Sequence, residues 1–502
     1  MFKILNANQV KEADGFTIES EPISSFDLME RAATKAYKRI IKITSSFKKP
    51  TYAVFCGAGN NGGDGLVIAR KLLADKKKVC VFTFKLGNTP SADYLSNLDL
   101  YKGDIVELSE ENQVIELNQN TIIIDAIFGN GLSRPIEGYI KNVINQINAA
   151  RKYCIAIDIP SGLFVEDNST NEYTAVIKAN YTLSFEFPKL SFLLPENEQY
   201  VGDWEIVPIG LSKDFIQQVE CKNYLITRHD VQLIKKHRAH FSHKGSFGHA
   251  LLLAGCTGKI GAAVLAAKAA MRSGLGLLTV QIPKSANDIL QISIPEAMVL
   301  LDESDDFLSS TMPQYNYSAI GIGPGIGMQE ETQNLLKHII QEVKTPMVID
   351  ADALNILAQN KTWLAFLPKG SILTPHPGEF KRLAGEWSSD FERLNLQIEF
   401  ANKYQIYLVL KGNFTSIATP DGRVFFNPTG NSGMATAGSG DTLTGIITGL
   451  LAQQYGAEQA AILGVYLHGL SGDMAAKKKG KESLIASDLI QYLPKAFKKL
   501  VT

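Results

Sequence analysis

Glycine-rich loops carry the polar side chains of this chain that could do chemistry. The first loop is Gly57–Gly65, which follows the apolar run Thr51–Cys56 and precedes a helical pattern. Glycines let a backbone approach a phosphate closely, and the N-terminus of the following helix offers free amides. An ordinary dinucleotide-binding domain would place an acid at the end of the next strand, but that strand ends in Phe84-Lys85. The loop therefore predicts a ligand site with an incomplete dinucleotide fingerprint.

Two acids stand at the ends of later strands in the same half. Asp125 follows Thr121–Ile124, and Asp158 follows Cys154–Ile157. Ligands of open α/β sheets bind at the carboxyl ends of the strands, so these acids and the glycine loop belong to one edge. A single acid there is often only a helix cap. Two acids beside a glycine-rich loop favour a catalytic cleft.

The second half carries a run of glycines and small residues that ends in Gly438-Ser439-Gly440-Asp441, just before a long apolar helix. Amides exposed at such a point would form a hole for a phosphate or a developing oxyanion. Asp441 could simply cap the helix. An acid aimed at an anion hole would repel phosphate unless it handles a proton, so we favour Asp441 as a base. No P-loop motif occurs, which argues against a P-loop kinase.

Three more segments follow predicted strands in the second half. Lys411–Thr415 could present a lysine and amides to a nucleotide, or it could be a plain hairpin. Asp350–Asn355 carries two acids. His376 stands between two prolines in Thr374–Glu379, and we favour a functional role for a histidine held in such a fixed loop.

Alternating strands and helices must position these residues. Continuous apolar runs separated by helical spacing indicate mostly parallel sheets covered on both faces. A chain of 502 residues is too long for one ordinary core, so we expect two domains with a boundary near 212–225. Strands are predicted at Thr51–Cys56, Val79–Phe84, Thr121–Asp125, Cys154–Asp158, Tyr181–Phe185, Ala250–Leu253, Leu278–Ile282, Ala319–Ile322, Met347–Asp350, Ile372–Leu373 and Tyr407–Leu410.

Composition excludes several other classes of protein. The formal net charge of -1 gives no overall field that would attract nucleic acid or an anionic membrane. The five cysteines include no Cys-x-x-Cys pair, so neither a disulfide framework nor a thiolate zinc site is indicated. No apolar run is long enough to span a membrane, and the N-terminus lacks a secretory signal. We expect a reducing, cytoplasmic location.

The motifs of the first half resemble the NAD(P)HX epimerase family over about residues 5–212. The resemblance rests on Gly59–Gly65, on Asp125 with Gly129–Pro135, and on Asp158–Gly162. It implies that a hydrated, damaged NADH or NADPH binds in the cleft. It also implies substrate contacts at Asn60, Asn61, Gly62, Gly63, Asp64, Gly129, Asn130, Gly131, Leu132, Ser133, Arg134, Pro135 and Asp158. A potassium ion would bind to Asn61, Asp125 and Ser161, whose oxygens suit a hard cation.

Epimerisation exchanges the R and S hydrates at the hydroxyl-bearing ring carbon, which requires an acid or base able to open and re-form that centre. Asp158 is the first candidate. Lys85 could assist, because it lies at another strand end. Either residue could instead only position the substrate.

The motifs of the second half resemble the ribokinase-like superfamily and, more closely, the ADP- or ATP-dependent NAD(P)HX dehydratases, over about 225–500. They are His243–Gly245, Gly255–Ala263, Gly323–Gly325, Asp350–Asn355, Thr374–Glu379, Lys411–Thr415 and Gly438–Asp441. The resemblance implies hydrate contacts at Gly261 or Ala262, Gly325, His376 and Asp441. It implies nucleotide contacts at Lys411, Gly412, Asn413, Phe414, Thr415 and Gly440. Mg²⁺ would bridge the phosphates of ADP, the nucleotide of bacterial-type relatives.

The sequence thus predicts an α/β protein with a Rossmann-like three-layer α/β/α epimerase domain at 1–215 and a ribokinase-like dehydratase domain at 225–502. The second domain would dehydrate the S hydrate to NADH or NADPH, turning ADP into AMP and phosphate. We expect a homo-oligomer. A vitamin-alcohol kinase is one alternative, and a non-catalytic binding module in the first half is another. The sequence does not decide between ADP and ATP as the nucleotide, or between NADHX and NADPHX as the substrate.

Overall fold

The computed structural model describes residues 1–85, 89–311 and 316–501. Contacts within the chain divide it into two compact units. The N-terminal unit comprises Phe2–Asn223 with Ser388–Phe391, and the C-terminal unit comprises Met1, Tyr224–Trp387 and Glu392–Thr502.

The N-terminal unit is built on a parallel sheet. Its strands lie in the order β3-β2-β1-β4-β5-β6-β7, and each neighbouring pair is parallel. From β1 the chain continues through β2 and β3 on one side of the sheet, and from β4 it continues through β5, β6 and β7 on the other side. The loops after β1 and β4 therefore lead in opposite directions and leave a crevice between them, which is where doubly wound sheets bind ligands. The strands are β1 Thr51–Cys56, β2 Lys78–Phe84, β3 Asp104–Leu108, β4 Thr121–Ala126, β5 Tyr153–Ile157, β6 Tyr181–Phe185 and β7 Asp203–Val207.

Helices cover both faces of this sheet because its strands are apolar on both sides. Successive side chains of a strand point to opposite faces. Val54 and Cys56 accordingly pack in one core cluster with α2 and α3, whereas Ala53 and Phe55 pack in another with α5. The helices are α1 Ala7–Ser20, α2 Ser25–Ile43, α3 Asn60–Ala74, α4 Ala92–Leu100, α5 Gly138–Ala149, α6 Glu198–Val201 and α7 Lys213–Gln218.

The C-terminal unit has a second sheet, which is mixed. Nine of its strands lie side by side in the order β16-β15-β14-β13-β12-β11-β8-β9-β10. The pairs from β14 through β10 are parallel, and β15 and β16 add two antiparallel pairs. The strands are β8 His249–Leu253, β9 Leu277–Ile282, β10 Met298–Leu301, β11 Ala319–Ile322, β12 Met347–Ile349, β13 Ile372–Leu373, β14 Tyr407–Leu410, β15 Ser416–Ala418 and β16 Val424–Phe426.

Helix α15 is held very close to helix α9 by a glycine. A Cβ added at Gly445 would lie 2.0 Å from the carbonyl oxygen of Ala266, so only glycine allows this approach. The packing fixes where the N-terminus of α15 lies. The helices of this unit are α8 Arg228–Ile234, α9 Ile260–Arg272, α10 Asn287–Ser293, α11 Glu330–Glu342, α12 Ala351–Gln359, α13 Pro377–Ala384, α14 Asp390–Tyr404, α15 Ser439–Ala452, α16 Ala457–Lys479 and α17 Ala486–Lys499.

The predicted fold class is confirmed, since both units are α/β structures organised around largely parallel sheets. None of the helices in the described ranges is both long and apolar enough to cross a membrane.

Candidate active sites

The glycine-rich segment Gly57–Gly65 was predicted as a loop, but only Gly57–Gly59 precede the helix, because α3 begins at Asn60. The segment combines tight packing with open positions. A Cβ at Gly57 would lie 1.9 Å from the Ile127 carbonyl oxygen, and one at Gly62 would lie 1.6 Å from the Gly57 carbonyl oxygen. These two glycines are therefore required by the fold itself. Gly59 and Gly131, in contrast, have nothing within 4 Å of an added Cβ, so the backbone there is open to a ligand.

The three residues expected to bind potassium converge around one buried carboxylate. Asp125 is fully buried, and its two oxygens accept hydrogen bonds from the hydroxyl of Ser161 at 2.5 Å and the amide of Ser161 at 2.7 Å. Asn61 donates from Nδ2 to the carbonyl oxygen of Phe128 at 2.9 Å, and the Ser161 hydroxyl lies 3.3 Å from that oxygen. Burial raises the pKa of Asp125 to about 6, against the lowering effect of the hydrogen bonds from Ser161 and Ile127.

The oxygen atoms around Asp125 differ in kind from the ligands of a transition-metal site. Within the described ranges, no three His, Cys, Asp or Glu side chains come together in a way that could hold a metal ion. The hydrogen-bond partners recorded for Asp125 in these ranges are all neutral. A buried carboxylate with neutral partners and nearby hydroxyl, amide and carbonyl oxygens fits a hard cation such as potassium.

Asp158 follows β5 in a strained conformation. Its φ is +67°, in the left-handed region that a non-glycine residue adopts at a cost. Its Oδ1 accepts from the backbone amide of Phe185 at 3.1 Å and from the ammonium of Lys189 at 2.9 Å. Lys189 was not predicted as a site residue. It stands in an apolar stretch whose sequence gives no sign of a buried charge.

Two further carboxylates lie in the electrostatic field of Asp158. Burial and then the charge of Asp158 raise the pKa of Asp14 to about 6, with Lys189 acting in the opposite direction. Burial and then the charge of Asp158 also raise the pKa of Asp64 well above its ordinary value. Asp64 was predicted as a substrate contact, whereas Asp14, in α1, was missed.

The second loop of this cleft follows β4 and carries the remaining predicted substrate contacts. Asn130 has a buried Oδ1 with no hydrogen-bond partner in the described chain, so this atom could bind a ligand. Gly131, Ser133 and Arg134 are exposed. Lys85 is exposed at the end of β2, and within the described ranges its ammonium makes no ion pair or hydrogen bond. Its catalytic role stays a prediction.

The N-terminus of α15 forms the centre of the candidate site in the C-terminal unit. Gly438 has a φ of +84°, and an added Cβ there would lie 2.4 Å from Leu265. Asp441, in the first turn, makes no hydrogen bond with its side chain in the described chain. Burial raises its pKa to about 6, and the charge of Asp350 adds to this effect while Lys411 opposes it. Asp441 is thus not engaged as a helix cap.

Asp350 and Lys411 form an ion pair beside that helix. Nζ of Lys411 lies 2.9 Å from Oδ1 of Asp350, and the hydroxyl of Thr444 donates to Oδ2 of Asp350 at 2.6 Å. Burial opposes ionisation of Asp350, but Lys411 and Thr444 outweigh it and hold the pKa below its ordinary value. A Cβ at Gly440 would lie 3.3 Å from Nζ of Lys411. The structure therefore brings together Lys411, Gly440 and Asp441.

His376 lies at the start of α13 and connects to this ion pair through Glu379. Its Nδ1 accepts from the amide of Gly378 at 3.0 Å, while Glu379 accepts from the amide of His376 at 2.8 Å. Glu379 also lies 3.8 Å from Nζ of Lys411. His376 is about half exposed, so its ring can still meet a ligand.

Lys411–Thr415, the segment predicted to bind the nucleotide, is the turn between β14 and β15. The amide of Gly412 donates to the hydroxyl of Thr415 at 3.2 Å, and that hydroxyl donates back to the Gly412 carbonyl at 3.0 Å. The hairpin interpretation of Lys411–Thr415 is therefore structurally correct, and it still leaves Lys411 beside Gly440.

Two predicted hydrate contacts meet at the start of α9. A Cβ on Gly325 would lie 3.1 Å from the Cβ of Ala262, and Gly261 has nothing within 4 Å. Gly323 packs against the carbonyl of Asp350, with an added Cβ 1.8 Å away, so this segment also adjoins the acidic centre.

Sequence reasoning missed His468, which lies behind the α15 N-terminus. Its Nε2 lies 3.0 Å from the carbonyl oxygen of Ser439. Burial lowers the pKa of His468 to about 4, so the ring is neutral near pH 7 and donates this hydrogen bond. His468 occurs within an apolar helix, where a lone histidine usually has no catalytic role.

The two α/β units, each with acids at the loops of a largely parallel sheet, define a two-domain enzyme of small-molecule chemistry. A family model described as NAD(P)H-hydrate dehydratase matches residues 250–495, and one described as YjeF-related protein N-terminus matches 25–191. The chain belongs to the family of bifunctional NAD(P)H-hydrate repair enzymes, as the sequence predicted.

Three relatives with that name show how much of the chain is shared. The protein from Moorella thermoacetica is 36% identical over 99% of this chain and 97% of its own length. The protein from Coxiella burnetii is 35% identical, with 97% of each chain covered, and the one from Thermofilum pendens is 33% identical over 99% and 97%. A solved structure is also similar: the ADP/ATP-dependent NAD(P)H-hydrate dehydratase from Bacillus subtilis, co-crystallised with ATP and Mg²⁺. Its sequence is 35% identical, and the match covers 55% of this chain and 98% of the Bacillus subtilis chain, with a TM-score of 0.49.

Proposed function

We propose that this chain repairs hydrated NADH and NADPH with two separate sites. The domain at 1–215 exchanges the R and S hydrates, and the domain at 225–502 dehydrates the S form at the expense of ADP. The observation that carries the proposal is the group formed by Asp441, Lys411 and Asp350 at the N-terminus of α15. It offers a base, a cation and free helix amides at one point.

Asp441 would act as the base of the dehydratase. The hydroxyl of the hydrate is a poor leaving group, so it must first be converted into a phosphate ester. As this oxygen attacks the terminal phosphate of ADP, Asp441 takes its proton, and AMP departs. Phosphate then leaves with the electrons of its C–O bond, the neighbouring ring carbon loses a proton, which the departing phosphate or solvent can accept, and the electrons of that C–H bond restore the nicotinamide double bond. A carboxylate whose pKa is raised to about 6 is a better base than an ordinary one and is still ionised at pH 7.

Backbone amides would stabilise the transferred phosphoryl group. The first amides of a helix have no partner within the helix and carry the positive end of its dipole. Those of Gly440 and Asp441 accordingly make no backbone hydrogen bond in the described structure. His468 would help to keep this turn in place through Ser439.

The nucleotide would bind at the Lys411–Thr415 turn and beside Gly440. Lys411 provides a positive charge, and the absence of a side chain at Gly440 leaves its surroundings open. Asp350 and Glu379 are the carboxylates of this region that could hold Mg²⁺, directly or through water. Bound Mg²⁺ would neutralise part of the charge on the nucleotide phosphates.

The epimerase site would use Asp158 as the acid or base at the hydroxyl-bearing carbon. The open backbone at Gly59 and Gly131 would receive the cofactor phosphates, and the unpaired Oδ1 of Asn130 would bind a substrate donor. Potassium at Asp125 would neutralise that buried carboxylate and fix the loops to which its ligands belong.

The test follows recovery of the 1,4-dihydronicotinamide absorbance from mixed NADHX epimers with ADP, ATP or neither nucleotide. We expect complete recovery with ADP, because the epimerase feeds the R form to the dehydratase. Asp441→Ala should abolish recovery. Asp158→Ala should limit it to the S fraction plus slow spontaneous exchange. No recovery with either nucleotide, or accumulation of a stable phosphorylated alcohol, would contradict the proposal.

A further inference from the structure

Lys189 is a lysine with no access to solvent. Its side chain is 0% exposed, and its Nζ lies 2.9 Å from Oδ1 of Asp158. The same nitrogen lies 3.5 Å from the Phe185 carbonyl oxygen and 3.4 Å from that of Phe187. An ammonium has three protons, so each has an acceptor. Burying such a charge costs several kcal/mol unless it is paired, so the Asp158 contact is its necessary compensation.

The two oxygens of Asp158 have different surroundings. Oδ1 accepts from both the Lys189 ammonium and the Phe185 amide. Oδ2 takes part in no recorded hydrogen bond or ion pair with residues 1–85, 89–311 or 316–501. The side chain nevertheless retains 7% exposure, so it is not sealed from the cleft. Oδ1 is therefore held by the protein, whereas Oδ2 is available to a ligand.

A tight turn after β6 places Lys189 under the end of β5. The amide of Phe187 donates to the carbonyl of Phe185 at 2.6 Å, and the hydroxyl of Ser184 donates to the carbonyl of Phe187 at 2.7 Å. Glu186, within the turn, has a φ of +53°. The turn reverses the chain, and Lys189 thereby meets Asp158 from a neighbouring strand.

We propose that Lys189 is a positioning residue of the epimerase, which holds Asp158 by Oδ1 so that Oδ2 meets the substrate hydroxyl. This inference rests on the epimerase function proposed for the N-terminal unit. Lys189 does not meet the substrate itself, because its side chain is fully buried and its three donors are used. It acts through Asp158, whose strained backbone also needs support from its surroundings.

The charges around Asp158 show why a cation is needed there. The negative charge of Asp158 acts on Asp64 in α3 and on Asp14 in α1, and Glu186, in the turn after β6, acts on Asp14 as well. Acids clustered in this way favour protonation of one another. Lys189 supplies the opposing positive charge, 2.9 Å from Oδ1 of Asp158.

The experiment uses the full chain without nucleotide and measures exchange of separated R and S hydrates by chiral chromatography. For Lys189→Met we expect the kcat of exchange to fall at least about tenfold while KM changes little. Lys42→Met, which changes an exposed lysine on α2, is the matched control.

A double-mutant cycle separates positioning from general stabilisation. If Lys189 acts through Asp158, adding Lys189→Met to Asp158→Asn should cause no further loss of exchange. The double variant also removes both buried charges, so it remains usable where Lys189→Met alone fails to fold. Dehydration of the S form by the same samples, with ADP, reports on the fold of the rest of the chain.

The outcomes are distinct. An unchanged kcat of exchange in folded Lys189→Met would overturn the inference, as would a further loss of about tenfold in the Asp158→Asn background. Absence of exchange by the wild-type chain would instead refute the proposed epimerase function, and the role of Lys189 in it would fall for that separate reason.

Discussion

The ammonium of Lys411 lies 2.9 Å from the carboxylate of Asp350, and both charges act on Asp441 in the first turn of α15. Burial and then the charge of Asp350 raise the pKa of Asp441, whereas Lys411 opposes the rise. The ion pair thus contributes, together with burial, to the electrostatic environment of the proposed base, and it places a cation beside the turn proposed to bind the nucleotide.

Asp441→Asn should lower dehydration of the S hydrate by about 100-fold or more, because an amide cannot take the proton. In the wild type the reaction needs ionised Asp441, so kcat should rise with pH through about 6 and then level off. The Asp441→Asn variant should show no such rise of kcat with pH through about 6. Steady-state kinetics with ADP from pH 5 to 8, in roughly half-unit steps, measures both effects. Epimer exchange by the same sample is the control, and a retained limb near 6 would exclude Asp441 as the titrating base.

Lys411→Met should destabilise the C-terminal unit by about 3 kcal/mol or more, because it leaves Asp350 buried without its partner. Urea unfolding measures this in a Trp204→Phe background, where the remaining tryptophans, Trp363 and Trp387, belong to that unit. Lys411→Met combined with Asp350→Asn should recover much of the loss, since no unpaired charge remains. Equal destabilisation in the single and double variants would show that the ion pair is not the cause.

The same ion pair predicts a pH dependence of stability. The pKa of Asp350 in the folded chain lies below the ordinary value of 3.8. The stabilisation is therefore fully present above 3.8 and is lost as the pH falls from there through the lower folded-state pKa. Urea unfolding at a series of acidic pH values should show this loss in the wild type and a smaller loss in the variant with Asp350→Asn and Lys411→Met.

Gly62→Ala should destabilise the N-terminal unit by about 3 kcal/mol, because the new methyl group would meet backbone that is 1.6 Å away. Gly59→Ala is the matched control in the same glycine-rich segment, with nothing within 4 Å of the added Cβ. It should fold normally and impair only substrate binding. Thermal unfolding and the KM of exchange measure the two effects. Equal stability of both variants would contradict the packing role assigned to Gly62.

Replacing potassium with tetramethylammonium should lower the thermal stability of the N-terminal unit. A ligand at about 100 times its Kd stabilises the folded state by ~2.7 kcal/mol, which gives the scale of the effect. Asp125→Asn should remove the dependence, since the buried carboxylate is gone, whereas Asp99→Asn at an exposed position should retain it. If the thermal stability of the Asp125→Asn variant still depended on potassium, the ion would have to bind at another place.

The sequence predicted the central strands well because they are continuous apolar runs. It missed edge and hairpin strands. Asp104–Leu108 is largely exposed, so it lacks an apolar run, and Ser416–Ala418 and Val424–Phe426 are each only three residues long, too short to show a period. The loops before α3 and α15 were found because glycines mark places of close approach.

Partners that act through tertiary contacts were much harder to predict. Lys189 is brought to Asp158 by a turn whose geometry has no sequence signature, and Thr444 reaches Asp350 from a helix that reads as apolar. Local patterns identify the acids that stand at strand ends. They do not identify the groups that pair with those acids from a different strand or helix.

The Asp158–Lys189 contact also bears on how this family can diverge. Because both charges are buried, losing either one alone leaves the other unpaired, which is costly. Descendants that keep the fold should therefore retain both residues or lose both in close succession. A lineage in which the first half has become a pure scaffold would then be recognisable by the joint replacement of this pair.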